Sequence, residues 1–78
     1  MASLLLFGSI AEAAASRRAS FEASTVGEIL EQANRRFGPA FEELLPVCCI
    51  WVNGEEASRS TFLADSDEVA VLPPFSGG

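Results

Sequence analysis

The sequence contains no histidine and no lysine, and only two of its 78 residues are cysteines. Without an imidazole, a serine such as Ser76 has no Ser–His activation available. Cys48 and Cys49 are adjacent, and neighbouring residues of a strand point to opposite faces, so they are poorly placed to form a disulfide with each other. We therefore expect neither a disulfide framework nor a zinc site, and no redox role for Cys49.

All five cationic side chains are arginines, at positions 17, 18, 35, 36 and 59. Codon bias explains a chain without lysine; alternatively, the absence of a side-chain amine protects the chain from conjugation to its own kind. The formal net charge of −6 disfavours nucleic acid as a partner, because binding to phosphates requires clustered cations. A basic protein surface is the more natural partner.

Long apolar segments are also missing. The apolar run at residues 4–7 is too short for the core of a signal peptide and has no basic flank. No stretch approaches the length that crosses a membrane, and the cytoplasm is the expected compartment. The length allows one domain, and with 49% hydrophobic residues the chain is too apolar to be disordered.

Five segments have the composition of strands: residues 3–10, 17–23, 47–53, 55–58 and 67–72. Between the third and the fourth, Asn53-Gly54 predicts a hairpin turn. Residues 11–16 predict a helical turn, and residues 41–45 predict a short helical segment before Pro46. The irregular segment 60–66 is expected to send two side chains into the core, Phe62 and Leu63.

The longest helix is predicted to begin at a capping box, Thr25-Val26-Gly27-Glu28. The Thr25 side chain can accept a hydrogen bond from the Glu28 amide, and the Glu28 side chain can accept one from the Thr25 amide. Gly38-Pro39 ends the helix. Its apolar residues recur at helical spacing: Val26, Ile29, Leu30, Ala33 and Phe37.

This order of strands around one main helix predicts an α+β domain. A mixed sheet of about five strands with the helix packed on one face buries the pattern, and the connection through the helix should be right-handed. The β-grasp (ubiquitin-like) arrangement meets these conditions over residues 1–72. Pro73 and Pro74 cannot extend the hydrogen-bond ladder, so residues 73–78 are predicted to form an extended, flexible tail that ends in Gly77-Gly78.

In that arrangement the last strand lies between the first and the third, and alternation assigns each side chain to a face of the sheet. Seven side chains are predicted to point toward the helix: Leu4, Leu6, Cys48, Ile50, Val52, Val69 and Val71. Six are predicted to point outward: Leu5, Phe7, Cys49, Trp51, Ala70 and Leu72. Phe7, Trp51 and Leu72 would then form an exposed patch that docks partner proteins, unless the short second helix or a loop covers it.

Residues 63–78 resemble the end of the small subunit of molybdopterin synthase, a MoaD-like sulfur carrier. They combine an acidic turn, an apolar strand, Pro73-Pro74 and a terminal Gly-Gly. The run 4–8, the helix start 25–30 and the turn 52–54 also fall where that family has them. Two positions depart from the family. Ser66 replaces a glycine, which costs turn stability if its φ is positive, and Phe75 is bulkier than the common valine, which alters its fit in a partner's channel.

The resemblance implies that Gly78 is the reactive residue and that Gly77 belongs to the threading tail. The Gly78 carboxylate would be adenylated by an E1-like (MoeB-like) enzyme that consumes ATP, and then converted to a thiocarboxylate. The thiocarboxylate would donate sulfur to a pterin precursor in the large (MoaE-like) synthase subunit. A hetero-oligomer with that subunit is implied, with no cofactor bound by this chain and the catalytic side chains on the partners. The expected partner-binding residues are Phe7, Trp51, Leu72, Pro73, Pro74, Phe75 and Ser76.

Several alternatives stay open. The carrier could serve another pathway, such as thiamin, cysteine or tRNA thiolation. The same Gly78 chemistry would also attach a ubiquitin-like modifier to lysines, and a plain interaction domain is the third class. The acidic residues 65, 67 and 68 lack the spaced ligands of a metal site and predict a solvated turn. Glu42-Glu43 and Glu55-Glu56 are expected to be solvated or to pair with basic residues of a partner.

Overall fold

The computed structural model describes residues 1–74, which form one mixed sheet with helices on one of its faces. The strands are β1 (Ala2–Leu6), β2 (Arg18–Phe21), β3 (Cys49–Val52), β4 (Glu55–Glu56) and β5 (Glu68–Leu72), and their order in the sheet is β2-β1-β5-β3-β4. β5 runs parallel to β1, and the other neighbours are antiparallel. The helices are α1 (Gly8–Ala14), α2 (Val26–Phe37) and α3 (Pro39–Leu44), followed by a 3₁₀ helix (Leu45–Val47). The predicted α+β, β-grasp fold is confirmed.

Helix α2 begins as predicted, with one change in its cap. The Thr25 hydroxyl accepts a hydrogen bond from the Glu28 amide at 3.2 Å. The Glu28 carboxylate reaches one residue further than predicted and accepts from the Ser24 amide at 2.7 Å. The helix ends at Gly38, whose φ of 92° is outside the helical region, and Pro39 starts α3 directly afterwards.

The core lies between the helices and one face of the sheet. Leu4, Val69 and Val71 are fully buried, and Leu4 pairs with Val69 across the parallel β1–β5 ladder. Residues on β3 that share this face, such as Ile50 and Val52, are only partly buried against the core. The predicted inward set is therefore correct, with its best-buried members on β1 and β5. The remaining core residues come mostly from the helices: Ala2, Leu6, Ile10, Phe21, Val26, Ile29, Leu30, Ala33, Phe41 and Leu45.

The prediction of a strand over residues 3–10 was wrong in its second half. β1 ends at Leu6, and the chain turns at Gly8, which has a φ of 55° and opens α1. Ile10 thus becomes a fully buried helical residue instead of the end of a strand. The helical turn expected at residues 11–16 begins earlier and closes at Ala15, whose φ of 56° ends the helix.

Two apolar side chains depart from their predicted places. Val47 belongs to the 3₁₀ helix, not to β3, and is exposed. Phe62 is 81% exposed, whereas Leu63 packs against the core as predicted. The backbone at Phe62 is extended, because Phe62 forms an isolated bridge with Thr25. Neighbouring side chains of an extended segment point to opposite sides, so Leu63 faces the core while Phe62 faces outward.

The turn between β3 and β4 follows the prediction. Asn53 and Gly54 have φ values of 50° and 86°, the combination that a two-residue type I′ turn requires. β4 is shorter than the predicted 55–58, because only Glu55 and Glu56 pair with β3. No helix among residues 1–74 is both long and apolar enough to cross a membrane.

Candidate functional site

The site is built around the end of β5, the central strand, where the chain continues into Pro73-Pro74. The Pro73 ring lies directly over Gly8: a Cβ added at Gly8 would be 2.9 Å from the Pro73 Cγ. The absence of a side chain at Gly8 therefore lets the chain leave the sheet close to the start of α1.

A groove of about 320 Å³ adjoins this exit. It is lined by Ser9, Leu44, Val47, Cys48, Pro73 and Pro74. Four of the predicted site residues, Phe75, Ser76, Gly77 and Gly78, lie outside the described residues. Their roles stay predictions.

The face of the sheet opposite the helices carries six side chains that we call the open-face patch: Leu5, Phe7, Cys49, Trp51, Ala70 and Leu72. Strand register arranges them in two adjacent rows. Ala70 of β5 pairs with Leu5 on one side and Trp51 on the other. In the next row Leu72 pairs with Cys49. Leu6 pairs with Val71, so Phe7, the residue after Leu6, lies beside Leu72. The three residues predicted to form a patch, Phe7, Trp51 and Leu72, therefore lie on one face.

The open-face patch is accessible in the described part of the chain. Phe7 is 46% exposed and Trp51 is 37% exposed, while Leu72 is half-buried between its neighbouring strands. α1, α2 and α3 all send their buried side chains into the core on the other face. At the edge of the patch, Ala11 and Glu12 of α1 line a groove together with Leu5 and Phe7. The structure thus presents an aromatic and aliphatic surface beside the exit of the chain. Its use in docking stays a prediction.

Charged side chains border the patch on both sides. Arg18 of β2 is paired in register with Leu5, and its guanidinium lies 3.5 Å from the Glu68 carboxylate. Glu56 of β4 is paired in register with Trp51. The sequence predicted that Glu56 would be solvated or paired with a partner, and it is exposed.

The acidic turn before β5 is held by side chains. The Asp67 carboxylate accepts hydrogen bonds from the Ala64 amide at 2.8 Å and from the Asn53 side-chain amide at 3.0 Å. The Ala64 bond first, and the Asn53 bond second, hold the pKa of Asp67 below its ordinary value. Asn53 also accepts from the Glu68 amide at 3.0 Å, which ties the β3–β4 turn to the start of β5. Ser66 has a φ of 68°, so the condition under which serine costs stability here is met.

The cysteines differ in environment. Cys48 is half-buried against the core and its thiol donates to the Leu44 carbonyl at 3.3 Å. Burial, and secondarily the neighbouring Cys49, raises the pKa of Cys48. Cys49 is exposed on the open-face patch. Among residues 1–74, no group of three or more cysteine, aspartate or glutamate side chains is arranged to hold a metal ion.

Sequence reasoning missed two residues of this site, Gly8 and Val47. Gly8 was read as the middle of a strand, although a glycine directly after an apolar run is a signal for a change of direction. Val47 was assigned to β3, although the preceding Pro46 favours a helical start over a continuing strand.

Comparisons with known proteins bear on this geometry. The model of the ThiS family matches residues 4–78. SAMP1 from Haloferax volcanii is 32% identical with a TM-score of 0.84, over 99% of this chain and 98% of that one. A chain of the complex between subunits 1 and 2 of the molybdopterin-converting factor from Helicobacter pylori is 26% identical with a TM-score of 0.76, over 99% and 97%. CysO from Mycobacterium tuberculosis is 18% identical with a TM-score of 0.79, over 94% and 98%, and shares the fold.

Proposed function

Because the chain belongs to the ThiS family of ubiquitin-like sulfur carriers, we propose that it carries sulfur as a thiocarboxylate at Gly78 for the synthesis of the molybdenum cofactor. One observation supports this most directly. The central strand β5 ends next to the accessible open-face patch, and the chain continues from Leu72 through Pro73-Pro74 toward Gly77-Gly78. A partner that docks on the patch would therefore hold the Gly78 carboxylate near its own active site.

The chemistry requires activation because a carboxylate is a poor electrophile. An E1-like enzyme joins the Gly78 carboxylate oxygen to the α-phosphorus of ATP, and pyrophosphate leaves. A sulfur nucleophile at the oxidation level of sulfide then attacks the acyl carbon of this adenylate, AMP leaves, and the sulfur gives up its proton. The resulting thiocarboxylate is itself a nucleophile, and docking raises its effective concentration in the partner's pocket. The catalytic side chains and the ATP site belong to the partners in this proposal.

Molybdopterin synthesis is the pathway we propose. The likeness to a molybdopterin-converting factor that was solved as a complex of two subunits supports it, as does the Pro73-Pro74 break before the Gly-Gly end. By this proposal the chain forms a hetero-oligomer with a large synthase subunit in the cytoplasm. There it donates sulfur to a pterin precursor.

A second candidate, a ubiquitin-like protein modifier, is favoured by the 32% identity to SAMP1, because a small archaeal modifier protein is what that name denotes. The same adenylate at Gly78 would be attacked by a lysine amine of a target protein instead of by sulfur. The chain itself contains no lysine, so it offers no side-chain amine as a target.

Intact mass of the protein isolated from its own host, after a reducing step, tests the proposal. We expect a population in which one oxygen has been exchanged for sulfur, mapped to Gly78 by fragmentation. Adducts of Gly78 on lysines of other proteins, without the sulfur form, would favour the modifier. Deletion of Gly78 should abolish molybdenum-enzyme activity, with the intact chain restoring it. Retention of that activity would refute the molybdopterin assignment.

A further inference from the structure

One row of side chains crosses the whole open face. Strand register places Arg18, Leu5, Ala70, Trp51 and Glu56 side by side, one from each strand in the order β2-β1-β5-β3-β4. Neighbouring strands are about 4.8 Å apart, so the row spans on the order of 19 Å. Its centre is apolar and its two ends carry opposite charges.

The two ends differ in how their charge is satisfied. Arg18 has the Glu68 carboxylate at 3.5 Å, so the β2 end is locally neutralised. The β4 end is not neutralised. Within residues 1–74 the salt bridges are those of Arg18 with Glu68 and of the terminal amine with Asp65, and neither involves Glu56 or its neighbour Glu55.

Docking changes the environment of Glu56 because its strand partner is Trp51. A protein surface that covers the Trp51 ring also removes water from the adjacent carboxylate. Desolvating a carboxylate without a compensating charge is unfavourable, whereas a close cation on the partner offsets that cost. The net charge of −6 also attracts a basic partner surface at long range.

We propose that the protein that docks on the open-face patch places an arginine or lysine against Glu56 and an uncharged surface against the Arg18–Glu68 pair. This inference rests on the proposed function, and the docking protein to which it applies is the ATP-dependent activating enzyme. The asymmetry fixes the orientation of the complex, because a rotated partner would bring its cation to Arg18 and leave Glu56 desolvated. Glu56 is therefore a specificity residue, not a catalytic one.

ATP–pyrophosphate exchange with the activating enzyme of the same organism tests the inference. The variants are Glu56→Arg, Glu56→Gln, and Trp51→Ala as a marker of the patch. Glu31→Arg makes the same charge change on the exposed face of α2 and serves as the matched control. We expect KM for the chain to rise roughly 30-fold for Glu56→Arg and about 5-fold for Glu56→Gln, with kcat unchanged. Glu31→Arg should stay within about twofold.

Salt supplies a second readout. KM of the unmodified chain should rise as ionic strength increases, and this rise should be flatter for Glu56→Gln, because the screened pair is gone. Circular dichroism should show that the exposed substitutions leave the fold intact.

The outcomes separate the inference from the function. Absence of exchange with the unmodified chain would contradict the proposed function, and the inference would fall with it. Exchange that depends on Trp51 but not on Glu56 would overturn the inference alone. Equal increases of KM for Glu31→Arg and Glu56→Arg would also overturn it, because net charge would then explain the effect.

Discussion

The two faces of the sheet are built from alternate residues of the same strands, yet they differ in burial. On β1, Leu4 is fully buried under the helices while its neighbour Leu5 lies on the open-face patch; on β5, Val69 and Ala70 divide in the same way. An antiparallel or mixed sheet needs only one apolar face to fold. The second apolar face here adds little to the core, and its accessibility is the reason for the proposal that it docks partner proteins.

Removing one leucine from each face should give the largest difference in stability. Leu4→Ala opens a cavity in the core and should lower the free energy of unfolding by about 2–5 kcal/mol. Leu5→Ala, one residue along the same strand, should cost about 1 kcal/mol because the site is open to water and leaves no closed cavity. A domain of this size has a total stability of roughly 4–12 kcal/mol, so Leu4→Ala brings it close to unfolding.

Urea unfolding followed by far-ultraviolet circular dichroism measures both variants. The residues are identical in type and adjacent in sequence, so each is the control for the other. Equal losses would show that the open face is as well packed in solution as the core, and the division between the faces would be wrong.

Trp51→Ala should weaken docking more than it weakens folding, whereas Leu4→Ala acts on folding. Trp51 is 37% exposed on a face that leaves no closed cavity, so its truncation should lower the free energy of unfolding by about 1–2 kcal/mol, less than Leu4→Ala. Removal of an aromatic anchor should weaken docking by about 2 kcal/mol, or roughly 30-fold in KM for the activating enzyme. Phe62→Ala is the control, because Phe62 is 81% exposed and bridges to Thr25 at the start of α2, outside the patch. An equal loss of affinity in both variants would argue against a docking role confined to the patch.

The division between the faces was predictable because it depends only on the two-residue alternation of side chains along a strand. Once the strand order was inferred, each apolar residue of β1, β3 and β5 had one possible side, and the structure agrees at Leu4, Leu5, Val69 and Ala70. The cap of α2 was equally local, since Thr25 and Glu28 are three residues apart. Local spacing and alternation therefore carried most of the fold.

The predictions that were wrong depended on tertiary contacts, which the spacing of residues in the sequence does not encode. Four apolar residues before Gly8 suggested a long strand, whereas the chain turns at Gly8 with a φ of 55° and Ile10 enters the core as a helical residue. Phe62 and Leu63 are equally apolar, and the bridge to Thr25 decides which of them enters the core. The contact of Pro73 with Gly8 joins residues far apart in sequence, so no local pattern announces it.

The register of β5 decides which of its residues face the core. One substitution in the turn before β5 should increase the stability of the fold. A slip of one residue would exchange Val69 and Val71 with Ala70 and Leu72. Ser66 in this turn has a φ of 68°, which strains any residue with a Cβ. Ser66→Gly should raise the free energy of unfolding by about 0.5–1 kcal/mol, after the greater entropy of glycine in the unfolded chain is counted.

Thermal unfolding of Ser66→Gly and of Ser60→Gly tests this. Ser60 is not among the residues with positive φ, so its substitution should lower stability slightly. A loss of stability in Ser66→Gly would show that the hydrogen bond of the Ser66 hydroxyl to the Asp65 carbonyl outweighs the backbone strain.

The smallest effect should come from the carboxylate that holds the same turn, and it should depend on pH. Hydrogen bonds from Ala64, and secondarily from Asn53, keep the pKa of Asp67 below its value in the unfolded chain. Its contribution to stability is therefore complete above the unfolded pKa of about 3.9 and is lost as pH falls through the folded pKa. Asp67→Ala should thus be less stable than the unmodified chain at neutral pH, and this difference in the free energy of unfolding should narrow in acid.

Urea unfolding at about pH 7 and at steps below about pH 4 measures the difference. Glu43→Ala removes an exposed carboxylate that makes none of these bonds in residues 1–74 and should show less narrowing. A gap for Asp67→Ala that stays constant through the acid range would mean that the bonds to Ala64 and Asn53 do not favour the ionised form, and that the register of β5 is held by the backbone alone.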